Sequence, residues 1–146
     1  MPTLPEVLTS DAKKAAVVED CCALIDAEVK DKGGISGLAI KAGYGAVKGV
    51  KPGFVRNVVT DLVPEFARVL DPIYQEAKEG GKPVADYLSS HSSRVAEALL
   101  AITDEKAKHS KNGIVRGTYD KLRGTAKKNV EAAVPRLGKM IEAHGG

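Results

Sequence analysis

The chain predicts an all-α fold: a single domain, residues 1–146, built as an irregular bundle of five or six helices, several of them kinked at proline. Three observations carry this reading. Apolar residues recur at spacings of three and four along most of the chain, the pattern of helices with one buried stripe. No strand-like alternation of useful length interrupts them. Glycine pairs and prolines fall between the stripes, where helices stop and start. A chain of 146 residues has the size of one domain and buries roughly 70% of its unfolded surface, so it needs no disulfide or metal to fold.

The first long helix is expected to begin at Thr9, Ser10 or Asp11, each able to cap it. Ala15, Val18, Cys22, Ile25 and Val29 form its stripe, and Gly33-Gly34 ends it. The glycine-rich segment 36–49 reads as a second helix, with Ser36 as its cap. Ala42, Gly45, Ala46 and Gly49 make one side of it small enough for close packing or for an interface. A flexible loop is the alternative, because each glycine costs a helix about 1 kcal/mol relative to alanine.

Lys51-Pro52-Gly53 is a turn, and Pro52 is suited to open the next helix. Val55, Val58, Val59 and Leu62 follow. Pro64 then interrupts, with Asp61 capping a second segment through Phe66, Leu70 and Ile73, bent again at Pro72. Gly80-Gly81 closes the region and Pro83 opens another helix. The serines around His91 are weak helix formers that can break it, and Thr103-Asp104-Glu105 reads as a fresh start. Asn112-Gly113 is a possible break. A last helix is expected near Thr125 to Ala143, with Val130, Val134, Leu137 and Ile141 buried and Pro135 bending it.

Several local strings carry a resemblance: Lys41-Ala42-Gly43-Tyr44, Lys51-Pro52-Gly53-Phe54-Val55, Leu62-Val63-Pro64-Glu65-Phe66, Leu70-Asp71-Pro72 and Ala133-Val134-Pro135-Arg136-Leu137. Together they resemble a family of small, uncharacterised bacterial helical proteins, from about the second helix to the end. The resemblance implies an all-helical fold and a bacterial cytosolic setting, and it supplies no activity, cofactor or site residue.

The familiar chemical motifs fail on specific residues. Gly80-Gly81-Lys82 is followed by Pro83, which lacks the hydroxyl a phosphate-binding loop needs. His91, His109 and His144 lack ligands at zinc spacing, and no Glu precedes a His by three, as a di-iron bundle requires. Cys21 and Cys22 are adjacent, point about 100° apart on a helix and read as buried free thiols. His91 among its serines lacks an orienting carboxylate on the same face for nucleophilic catalysis. No cofactor is expected, and an enzyme is the less expected class.

No run of about 18 apolar residues exists to span a membrane, and the first residues lack a signal-peptide pattern; the expected compartment is the cytoplasm. The net charge is +3. From Asp104 onward there are ten Lys or Arg against five Asp or Glu. Arg116, Lys121, Arg123, Lys127 and Lys128 can therefore meet a polyanion such as nucleic acid, or an anionic membrane surface. With four Tyr, two Phe and no Trp, stacking platforms for single-stranded nucleic acid are scarce. The leading expectation is a non-enzymatic interaction protein acting through self-association or protein contact. Polyanion or membrane-surface binding and carriage of an apolar ligand are the alternatives.

Overall fold

The computed structural model describes residues 3–145, the side chains of Ile35 and Ser36 excepted. The described residues form seven helices and no strand: α1 Leu4–Thr9, α2 Lys14–Asp31, α3 Gly34–Lys48, α4 Phe54–Glu79, α5 Val84–Ser90, α6 Ser92–Lys108 and α7 Gly113–Ala143. The all-α fold is as expected, with one helix more than the upper count. The addition is α1. Thr3 caps it with a reciprocal box, its hydroxyl accepting from the Glu6 N–H and the Glu6 carboxylate accepting from the Thr3 N–H. The Leu4 N–H donates to Asp71 Oδ1 at 2.8 Å, which ties α1 onto α4.

Several boundaries differ from expectation. α2 starts at Lys14 without a side-chain cap, because Thr9 and Ser10 are spent on the end of α1. α3 starts at Gly34 behind Gly33, so Ser36, expected as its cap, lies inside the first turn and Gly33 takes the cap position. α4 runs unbroken through Pro64 and Pro72, and α7 through Pro135. All three prolines are exposed, so the carbonyl that each one leaves without an N–H partner four residues earlier faces the wetter side of its helix. Thr103-Asp104-Glu105 lies inside α6 and starts nothing. The expected joint at His91 is present, between α5 and α6. Asn112 caps α7 by accepting from Ile114 and Val115 N–H at 2.9 and 3.2 Å, and the helix then continues for 31 residues.

The long helices α4 and α7 are the organising pair, yet their backbones scarcely approach each other. α1, α2, α3, α5 and α6 pack on α4; α2, α3, α5 and α6 pack on α7. α4 supplies the largest buried stripe, Val59, Val63, Ala67, Leu70, Ile73, Tyr74 and Ala77, at helical spacing. Close approach occurs where α5 crosses α7: a Cβ on Gly138 would stand 2.6 Å from the Ala85 Cα. α3 crosses α7 at Gly43, where a Cβ would stand 2.8 Å from Thr118 Cγ2 and 3.1 Å from Leu122 Cδ1.

Candidate functional site

Because α4 and α7 are bridged and not packed together, a space opens between them. It is a half-open cleft of about 290 Å³. α2 contributes Cys21, Leu24, Ile25, Glu28, Val29 and Lys32; α4 contributes Val59, Leu62, Val63 and Phe66; α7 contributes Asn129, Val130, Ala133 and Leu137. Ile40 of α3 and Leu99 of α6 complete the wall. The lining surface is wholly apolar, so Glu28, Lys32 and Asn129 present carbon to it. A smaller void of about 40 Å³ shares Cys21, Val63, Phe66, Leu99 and Leu137 with it and reaches toward Leu8, Met140 and Ile141.

The α2 wall follows from spacing. Cys21, Leu24 or Ile25, Glu28 and Lys32 recur every three or four residues, so the stripe runs from apolar residues into two charges in the last turn. The buried side of α2 keeps most of the expected stripe and widens it: Val18 is buried, Cys22 and Ile25 pack against the core and Val29 lines the cleft, while Val17 joins them and Ala15 is exposed. Beyond the apolar wall, Arg136 donates from NH1 to Glu28 Oε2 and from NH2 to Asp31 Oδ2 at 2.5 Å. The guanidinium holds the Asp31 carboxyl below its ordinary value. Lys32 Nζ stands 3.6 Å from Glu28 Oε1.

Cys21 and Cys22 are half-buried free thiols. Burial, with Cys22 and Asp20 adding, pushes the Cys21 thiol up to about 12. Its Sγ lies 3.6 Å from Met140 Sδ. At neutral pH it is a protonated, unreactive part of the wall.

The five basic residues expected to meet a polyanion divide into two groups. Arg116, Arg123 and Lys127 lie on one side of α7, and Lys121 and Lys128 lie about 120° around it. Arg123 makes a two-point pair with Asp104 of α6, Nε to Oδ1 at 2.7 Å and NH2 to Oδ2 at 3.1 Å, and with Tyr119 it lowers the Asp104 carboxyl. Lys127 reaches Glu97 of α6 at 2.9 Å. Arg116 shares a polar hollow with Lys108, Asp104 and Asp120. Arg116, Lys121 and Lys128 have no ion-pair partner among the described residues.

Ala42, Gly45, Ala46 and Gly49 are all exposed. They do not pack inside the bundle; the close approach to α7 is made by Gly43, on the other side of α3. Leu38, 68% exposed, lies on the outward side with them. His91 stacks on Tyr87 with ring centroids 4.3 Å apart, and its Nδ1 lies 2.9 Å from the Tyr87 carbonyl oxygen and 3.2 Å from Ser90 Oγ. This is the hydrogen bonding of a helix joint.

Sequence reasoning named Cys22, Ile25, Val29, Val59, Leu62 and Leu137 as core and left the cleft unseen. The one signal available was the apolar stripe of α2 continuing into Glu28 and Lys32. No group of three or more metal-ligating side chains is gathered among the described residues, and no described helix is long and apolar enough to cross a membrane. No curated protein and no solved structure matches the chain. The model of a family of unknown function, DUF6918, matches residues 4–145, and this helical chain with its apolar cleft belongs to that family.

Proposed function

We infer that this protein binds and carries a small apolar ligand in the cleft between α2, α4 and α7. One observation carries the reading: a space of about 290 Å³ with a wholly apolar wall, in the middle of a bundle whose two longest helices are held apart. Interiors normally close such space, because each unfilled methyl-sized gap forfeits about 1 kcal/mol of contact. The volume lies at the lower edge of the range that accommodates small-molecule ligands, about 300 Å³ and upward. A bacterial cytoplasmic setting, which the family resemblance implies, belongs to the same reading.

The test is calorimetric titration with straight-chain alcohols. Affinity should rise roughly fourfold for each added methylene until the cleft is full, because a buried methylene contributes about 0.8 kcal/mol. Ala133→Phe, which places a ring in the cleft, should abolish binding while the helical circular-dichroism signal is kept. Absence of binding across the series, or binding that Ala133→Phe leaves unchanged, would end this reading.

A second reading, self-association through α3, is favoured by the exposed Leu38. It continues at spacings of four, three and four into Ala42, Gly45 and Gly49, with Ala46 beside them. That is the seam spacing of paired helices. The polyanion reading draws support from Arg116, Lys121 and Lys128, which α6 leaves unpaired, and loses Arg123 and Lys127 to Asp104 and Glu97.

A further inference from the structure

We propose that the cleft takes a slender, unbranched hydrocarbon chain whose tip threads into the small void beside it, with Ala67 and Met140 setting the longest chain that fits. The inference rests on the reading of the cleft as a ligand site and names the shape of its occupant. Two spaces lie side by side in this bundle, of about 290 and 40 Å³. Neither presents any polar surface. They share five residues, Cys21, Val63, Phe66, Leu99 and Leu137, which form the neck between them.

The two spaces differ in depth. The cleft is half-open, and Glu28, Lys32 and Asn129 carry their polar ends away from its apolar surface. Glu28 and Lys32 pair with each other, so this rim selects no charge on the ligand. The void lies deeper. Leu8, Val17, Ala67, Leu70 and Ile141, each at most 4% exposed, enclose it together with Met140. Ala67 stands between Val63 and Leu70 in the buried stripe of α4, and its methyl is the smallest side chain on the wall of the void. The room comes from that small side chain.

Volume and bonding decide the occupant. A void of about 40 Å³ has room for about two methylene-sized groups, and none for a ring or a branched cluster. Its wall offers no partner to a polar group, which would leave water without replacing its hydrogen bonds. A water molecule needs such partners as well, so hydrocarbon is the filling this wall favours. Phe66 and Leu137 are only partly buried, and rotation of their side chains opens the neck. Met140, unbranched and flexible, closes the far end. A straight chain therefore lies in the cleft with its polar end toward solvent and its tip past the neck.

The experiment measures, by calorimetry, the affinities of straight-chain alcohols of increasing length and of isomers branched at the far end. It uses the whole protein, Ala67→Val and Met140→Ala. In the parent, a branched tip that cannot pass the neck leaves about two methylenes unburied and should bind roughly tenfold more weakly than the straight isomer, since each methylene contributes about fourfold. Ala67→Val fills the void, so the length at which affinity stops rising should shorten by about one or two carbons. Met140→Ala enlarges the void, and that length should grow. Hexanol, too short to reach the neck, should bind every protein alike, which also shows that the variants are folded. A variant that loses hexanol has lost its fold, and the other variant and the branched isomers then decide. Equal binding of branched and straight isomers, or a folded variant whose limiting length does not move, would overturn the threading and leave the apolar cleft standing. Failure of every alcohol to bind would overturn both.

Discussion

At the scale of single residues, several polar contacts between helices are made by exposed or half-exposed pairs. Glu76 of α4 is the clearest case. Arg94 of α6 donates from NH1 and NH2 to its two oxygens at 2.8 and 2.7 Å, and Tyr87 of α5 donates to Oε1 at 2.7 Å. Arg94 first and Tyr87 second hold the Glu76 carboxyl down at about 2. The sign follows from linkage. A carboxyl whose folded value lies below its ordinary 4.5 adds stability that is fully present above pH 4.5 and lost as the pH falls toward 2. Glu76→Gln should therefore unfold at lower urea concentration than the parent near neutral pH, with the gap narrowing between pH 4.5 and pH 2. A gap of constant size across that window would show that hydrogen bonding without charge holds the three helices here.

At the scale of elements, glycines in helices divide by what stands opposite them. Gly138→Ala gains about 1 kcal/mol in helix propensity. It also places a Cβ 2.6 Å from the Ala85 Cα and 3.0 Å from its Cβ. The obstacle is backbone, which cannot turn aside, and overpacking of this kind costs on the order of 1–3 kcal/mol. The clash should win, and the denaturation midpoint should fall. Gly45→Ala faces nothing within 4 Å, so it should raise stability by up to about 1 kcal/mol. Equal shifts of the same sign in the two variants would refute the α5–α7 crossing as described. Both glycines look alike in sequence, each set in a helical stretch of mixed residues. The difference between them exists because α7 meets α5 at one and α3 meets solvent at the other.

At the scale of the whole molecule, two features remain uncovered: the cleft and the outer side of α3. α3 has Gly33 as an uncapped start, Gly34 at φ 73° as its first residue, Gly53 at φ 73° where the chain enters α4, and a row of small exposed residues. Among its described side chains, Ile40 alone reaches the cleft. If the outer side pairs with a second copy, sedimentation velocity at high micromolar concentration should show a dimer that Leu38→Glu converts to monomer. A parent protein that stays monomeric at those concentrations would remove self-association through α3, and the cleft reading would be untouched.

The helical class, most of the helices and the joints at Gly33, Gly80-Gly81, His91 and Asn112 are legible along the chain, because helix formation and capping depend on neighbours within one or two turns; the starts expected at Thr103 and Thr125 are not helix ends, since α6 and α7 run through them. The missed α1 was legible too, in Thr3 and Glu6, since a capping box is a local pattern. The error at Pro64, where a break was expected, arose because a proline's local cost is outweighed by a long buried stripe when the ring faces outward. Which side of each helix is buried is a different matter. It put Gly43 rather than Gly45 against α7, spent Arg123 and Lys127 on α6, and brought Lys32 to the end of an apolar cleft. These are long-range outcomes. A helix with small or apolar residues on more than one side has no internal reason to bury any particular one, and the neighbours that choose come from distant parts of the chain.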